Sequence, residues 1–204
     1  MAKPFSDMSG LTESRGAISF RFEELDETTR RLMLEEFRRE WQTHPYVSQR
    51  LSGEGKRAYP LLMEEAIRSG NEVSLGRVLA NPSFWKGREA YERAGRSRTR
   101  AINPVKDAMA LAITEFNTWY VRGFARRLIE EGEELCEVYR ADYAWEPRAE
   151  CLDHEGVRYS VRDVYNGHRA RYWPEPGNPA ALSIPVGTNC HHSIRRIKRA
   201  RKEP

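Results

Sequence analysis

NPVKDAMALAITEFNTWYVRGFARRLIEE, residues 103–131, is the stretch on which the fold turns. Asn103 offers a capping oxygen and Pro104 already has helical φ, so a helix starts there and runs to about Glu131, before Gly132. Val105, Met109, Ala112, Ile113, Phe116, Trp119, Tyr120 and Leu128 form the widest apolar face in the chain. About 27 residues at 1.5 Å each give a rod of roughly 40 Å. The spacing makes this helix the spine of the molecule.

Upstream, Asp26 caps a helix running to about Gln42, with Met33, Phe37 and Trp41 on one face and His44-Pro45 as its stop. Leu51 to Asn81 reads as two short helices. Pro60 stands as a first-turn proline, Leu61, Leu62, Ala66 and Ile67 form a stripe, and Asn71 caps a second piece that buries Val73, Val78 and Leu79. Trp85 to Arg100, rich in Arg and Gly, reads as an exposed loop or arm. Residues 17–22 alternate like a short strand, and residues 1–16 are a polar arm.

Downstream, Leu135 to Trp145 and Val157 to Val164 are strand candidates, and residues 166–188, with four prolines, form a long irregular loop. The expected architecture is α+β: an arm 1–16, a mainly helical body 17–134 with one long central helix, a small irregular β module 135–194, and a basic tail 195–204.

The chain has 204 residues, 34 Lys+Arg against 30 Asp+Glu, and a formal net charge of +4. Mean hydropathy is −0.76, and no window is apolar enough to span a membrane. The first residues show no apolar secretory core, so the mature chain is expected to stay in the cytoplasm of whatever cell makes it. The excess base is in the tail: Arg195, Arg196, Lys198, Arg199, Arg201 and Lys202 face one acid, Glu203. These six are candidate phosphate contacts, or a solvated end. Arg98-Thr-Arg100 carries the same two readings, and Tyr172, Trp173 and Trp145 are candidates either for base stacking or for a small local core.

Three cysteines are too few for a disulfide framework. Cys151-Leu-Asp-His154 and Cys190-His-His192 instead supply four soft or borderline ligands, the set a closed tetrahedral zinc site needs. Such an ion would contribute the folding energy that the Pro-rich excursion lacks. The plain alternative is that these are buried thiols and solvated imidazoles. His168 and His191 are substitute ligands. With all four positions filled by protein the ion would be structural, leaving no site for an activated water. His191-His192 could serve a nuclease, but the chain becomes a basic tail at once instead of supplying a further ligand. Cys136, with no histidine close in sequence, is not expected to be a nucleophile.

The segment Glu146-Pro-Arg-Ala-Glu-Cys-Leu-Asp-His-Glu-Gly-Val-Arg-Tyr159, with Pro185-Val-Gly-Thr-Asn-Cys-His-His-Ser-Ile194, resembles the C-terminal module of tailed-phage minor head proteins, the head morphogenesis family. Cys151 and His154 stand at the first ligand pair, Gly156 and Tyr159 at the turn, and Asn189-Cys190 with His192 at the close. The chain departs from the usual pattern with His154 and His192 in place of cysteines, which preserves zinc ligation, and with Gly187-Thr188 in place of His-Pro. The resemblance implies a virion protein with structural Zn2+, assembled in the host cytoplasm and touching major capsid or portal protein and packaged double-stranded DNA. It implies no catalysis, no membrane and no small-molecule substrate. The competing expectations are a zinc-dependent nucleic-acid-binding protein or nuclease, and a helical interaction module without metal.

Overall fold

The computed structural model describes residues 20–141, 152–187 and 190–198. Its elements run α1 (Glu27–Thr43), α2 (Gly53–Ser69), α3 (Glu72–Leu79), a 3-10 turn (Pro82–Phe84), β1 (Arg88–Arg93), β2 (Arg96–Ala101), α4 (Pro104–Glu130), β3 (Leu135–Arg140), β4 (Arg158–Ser160), α5 (Val161–Asn166) and β5 (His192–Arg196). The fold is α+β, with α4 at its centre as the sequence implies.

Asn103 caps α4 through a bond from the Lys106 amide, and Pro104 follows in the first turn. The helix is not amphipathic in its middle: from Ala112 to Ala125 every residue except Arg122 is buried. Helices α1 and α3 cover one side, and β5 and α5 cover others. An all-round apolar sheath explains why the sequence shows so wide a face there. Close crossing with α1 is set by Gly123, where a Cβ would lie 2.6 Å from the Met33 amide nitrogen and 2.8 Å from its Cα.

Asp26 caps α1 as expected, its carboxylate accepting from the Thr29 amide. Arg30 of α1 then donates to the Ile67 and Gly70 carbonyls at 2.7 and 3.0 Å, so a cation closes the negative end of α2. Two readings of α2 need correction. Its start is Ser52, whose hydroxyl accepts from the Gly55 amide, so Pro60 lies two turns inside the helix and not in its first turn. Its buried stripe is Tyr59, Met63, Ala66 and Ile67, whereas Leu61 is 73% exposed. That burial offsets the hydrogen bond the proline removes. Asn71 caps α3 in a reciprocal capping box with Ser74, and the buried face of α3 is Leu75 and Leu79, with Val73 and Val78 only half-buried.

The Arg- and Gly-rich arm is regular. Residues 88–101 form an antiparallel hairpin, β1 to β2, turning at Ala94-Gly95 with φ of 52° and 69°. Positive φ at both central residues matches the twist of the flanking strands, which is why Gly95 ends the turn. Every residue of β2 is exposed, as an arm requires.

The second sheet has the order β4-β3-β5, all antiparallel. Only the first residues of the Val157–Val164 candidate are strand. Ser160 accepts from the Asp163 amide and turns the chain into α5, which sends Val161 and Val164 into the core. Strand β5 extends two residues past the expected module edge, pairing Arg196 with Cys136. Phe20 to Phe22 run beside the end of β3, the Arg21 amide donating to the Ala141 carbonyl, while residues 1–19 and 142–151, which include the end of the Leu135–Trp145 strand candidate, lie outside the described residues. Residues 166–187 hold no regular element after α5, as expected.

Because Met33 backbone fills the space beside Gly123, Gly123→Ala is expected to force α1 and α4 apart. The cost should be about 1–3 kcal/mol, read as a lower urea midpoint at unchanged slope.

Candidate functional site

Strands β3 and β5 bring His154, Cys190 and His192 to one end of the sheet. His192 opens β5 opposite Arg140, and residues 154–157 are tied to the other side of β3 by the Gly156 amide donating to the Val138 carbonyl. Cys190 and His192 are buried, and the Cys190 Sγ lies 3.8 Å from His192 Nδ1. Two donors sharing a tetrahedral zinc at about 2.3 and 2.0 Å would sit about 3.5 Å apart, close to the separation of this pair. The other nitrogen of His192, Nε2, faces Glu155 Oε2 at 3.7 Å, and Arg140 holds that carboxylate at 2.7 Å. A carboxylate behind a ligating imidazole is the usual support for a bound metal. Burial holds the His192 imidazole below its ordinary pKa, against the pull of Glu155, so it is neutral and able to ligate.

His154 bonds to the Tyr159 hydroxyl through Nδ1 at 2.7 Å, which leaves its Nε2 for another partner. Cys151 lies outside the described residues. Among the described residues no group of three or more His, Cys, Asp and Glu closes on a common point. Neither substitute histidine joins the pair: His168 Nε2 is bonded to Glu40 at 2.8 Å, and the His191 ring packs on Phe20. Cys136 is fully buried in β3 and its thiol is pushed up to about 12 by burial, which removes the thiolate a nucleophile needs.

The tail residues divide. Arg195 pairs with Glu137 and with Glu23 at 3.2 Å, and its guanidinium lies over the Tyr139 ring. Arg196 reaches Glu24 at 3.2 Å, Glu133 at 3.3 Å and Glu131 at the C-terminal end of α4. Both are strand residues with acidic partners already. Lys198 is 80% exposed with Glu23 3.7 Å away, and Arg199, Arg201 and Lys202 lie outside the described residues.

The strongest polar cluster is elsewhere, and little in the local sequence marks it. Arg169, in the irregular loop, is 2% exposed and makes a bidentate pair with buried Glu115 of α4 at 2.7 and 3.0 Å. It also donates to Glu40 at 3.2 Å and to the Tyr172 hydroxyl at 3.0 Å, and lies between the rings of Tyr46 and Trp119. Tyr59 of α2 donates to the same Glu115 carboxylate at 2.9 Å. Tyr172 packs on Tyr46, and Trp173 donates its indole N–H to the His44 carbonyl, so the two aromatics hold the loop to α1. Trp145 lies outside the described residues. A second anchor joins α5: Arg122 pairs with buried Glu36 at 2.9 Å and stacks on Tyr165. The one sequence signal for this network was a Glu and an Asn at positions 115 and 117, interleaved with Phe116 and Trp119 in the most apolar stretch of the helix. Asn117 donates to the His192 carbonyl at 2.7 Å.

No protein-family model, curated protein or solved structure matches the chain.

Breaking the Arg169 pair leaves a buried carboxylate uncompensated, so Arg169→Met is expected to cost about 3–5 kcal/mol, with part recovered in Arg169→Met/Glu115→Gln. Urea melts of the three proteins check this. His168 adds a pH dependence. Burial lowers its pKa from the ordinary 6.5 to about 4. The unfolded chain therefore binds this proton first, and stability is lost as pH falls from about 6.5 towards 4, by about 2–3 kcal/mol. His168→Gln should flatten that part of a urea-midpoint profile.

Proposed function

We propose that the protein is a non-catalytic head-assembly component of a tailed phage, with a C-terminal module closed by structural Zn2+ on Cys151, His154, Cys190 and His192. The observation that carries the metal is the facing of Cys190 Sγ and His192 Nδ1 at 3.8 Å, with Glu155 and Arg140 stacked behind the imidazole. The assignment to phage heads is carried by the motif residues between 146 and 194 and by their resemblance to the minor head module. Four protein ligands fill a tetrahedral ion, so the reading assigns it a structural role and no hydrolytic water.

In this reading the helical body docks on major capsid or portal protein in the host cytoplasm during assembly, stays in the virion, and meets packaged double-stranded DNA through basic segments. Among the described residues no helix is long and apolar enough to cross a membrane, in keeping with such a part.

Protein purified under reducing conditions is expected to carry close to one zinc per chain. Cys190→Ser should lose the metal and melt several degrees lower. A ratio far below one, or an unshifted melt, overturns the zinc centre. Tagged protein expressed with the neighbouring head genes should sediment with assembled particles, and its absence from them overturns the assembly role.

A further inference from the structure

We propose that the β1–β2 hairpin, rather than the C-terminal tail, is the surface that binds double-stranded DNA. The inference rests on the part of the assembly reading that brings the protein to DNA, not on the metal.

The charge distribution comes first. Lys86 to Arg100 holds six Lys and Arg against Glu89 and Glu92. The tail arginines that the structure describes, Arg195 and Arg196, spend their charge on Glu137, Glu23, Glu24, Glu131 and Glu133. In the hairpin, Arg96 and Arg98 are exposed and make no ion pair among the described residues.

Register then sorts the hairpin into two faces. The pairs Glu89↔Arg100 and Tyr91↔Arg98 alternate with Arg88↔Ala101, Ala90↔Thr99 and Glu92↔Ser97, and Arg96 shares the face of Arg98 and Arg100. One face therefore carries three arginines of β2 with Tyr91. Its one acid, Glu89, is already engaged by Arg100 and by Arg50 at 2.9 Å. Successive arginines on that face stand about 7 Å apart, and the two strands about 5 Å apart. A two-stranded ribbon of this size enters the major groove of B-DNA, about 12 Å wide, and a row of guanidiniums along it can pair with phosphates or base edges.

The hairpin is also built to project. With β2 exposed throughout it has no core of its own, and a lone two-stranded ribbon is marginal in water. Among the described residues it is held at its base, where Arg50 bridges Glu89 and Asp107 at 2.9 and 2.6 Å and the Ile102 amide donates to the Gly87 carbonyl.

The test is fluorescence anisotropy of the full-length chain with a labelled mixed-sequence duplex and a single strand of equal length, across a salt series. Arg96→Ser/Arg98→Ser is expected to weaken duplex binding at least tenfold and to reduce the slope of log affinity against log salt by about 2. Deleting residues 199–204 should change affinity less than twofold. The thermal melt of the double variant should match wild type, since neither side chain supports the fold. Duplex binding by the double variant within twofold of wild type, or tighter binding of wild type to the single strand, overturns the hairpin assignment and leaves the assembly reading standing. If wild type binds no duplex even at low salt, the DNA contact of the assembly reading falls as well, while zinc content and particle association still test the rest of it.

Discussion

The guanidinium of Arg169, buried between two aromatic rings and fastened to Glu115, joins the irregular loop after α5 to the helices. Removing a cation from water costs several kcal/mol, and only near-complete pairing offsets it. Here the fork geometry of arginine meets one carboxylate twice and a second once, with the Tyr172 hydroxyl accepting a further N–H hydrogen bond. Lysine could not make those contacts from one position. Because Glu115 sits on the most buried turn of α4, Glu40 on α1 and Tyr59 on α2, one side chain from an irregular loop ties down three helices.

That arrangement changes what a metal would have to do. A long Pro-rich loop between two ligand pairs suggests a segment held only by its ion. The described part of the loop is instead held by Arg169, by the Trp173 indole on the His44 carbonyl, and by the Arg122–Tyr165 stack just before it. The Cys190–His192 pair lies at the far end of the same segment, beside Glu155 and Arg140. Zinc there would lock the end of a sheet that already has a core in Val138 and Ile194, and would not have to assemble the module from nothing.

Local signals made the helices legible. Asp26, Asn71 and Asn103 are capping residues whose effect depends on the next three residues alone, and each caps as its chemistry dictates. Pro60 misled because a proline is compatible with a helix start and only burial elsewhere on the helix shows that it sits inside one. The hairpin was hidden because a ribbon exposed on both faces shows no apolar alternation. Its only marks are Ala94-Gly95 at the turn and the alternate arginines of β2. Of the candidate centre, the nearness of Cys190 and His192 could be read from spacing, but not Glu155 behind the imidazole, which depends on strand register. Arg169 gave no sign of its ion pairs, because its carboxylate partners are 54 and 129 positions away.

The sheathing of α4 divides the molecule by time as well as by space. From Ala112 to Ala125 nearly every side chain is covered, so backbone there reaches water only when the surrounding elements come apart together. The hairpin and the exposed face of α2 can open, bend or meet another surface without that event. Motion and contact are thus left to the periphery, and the spine registers them only at the cost of unfolding.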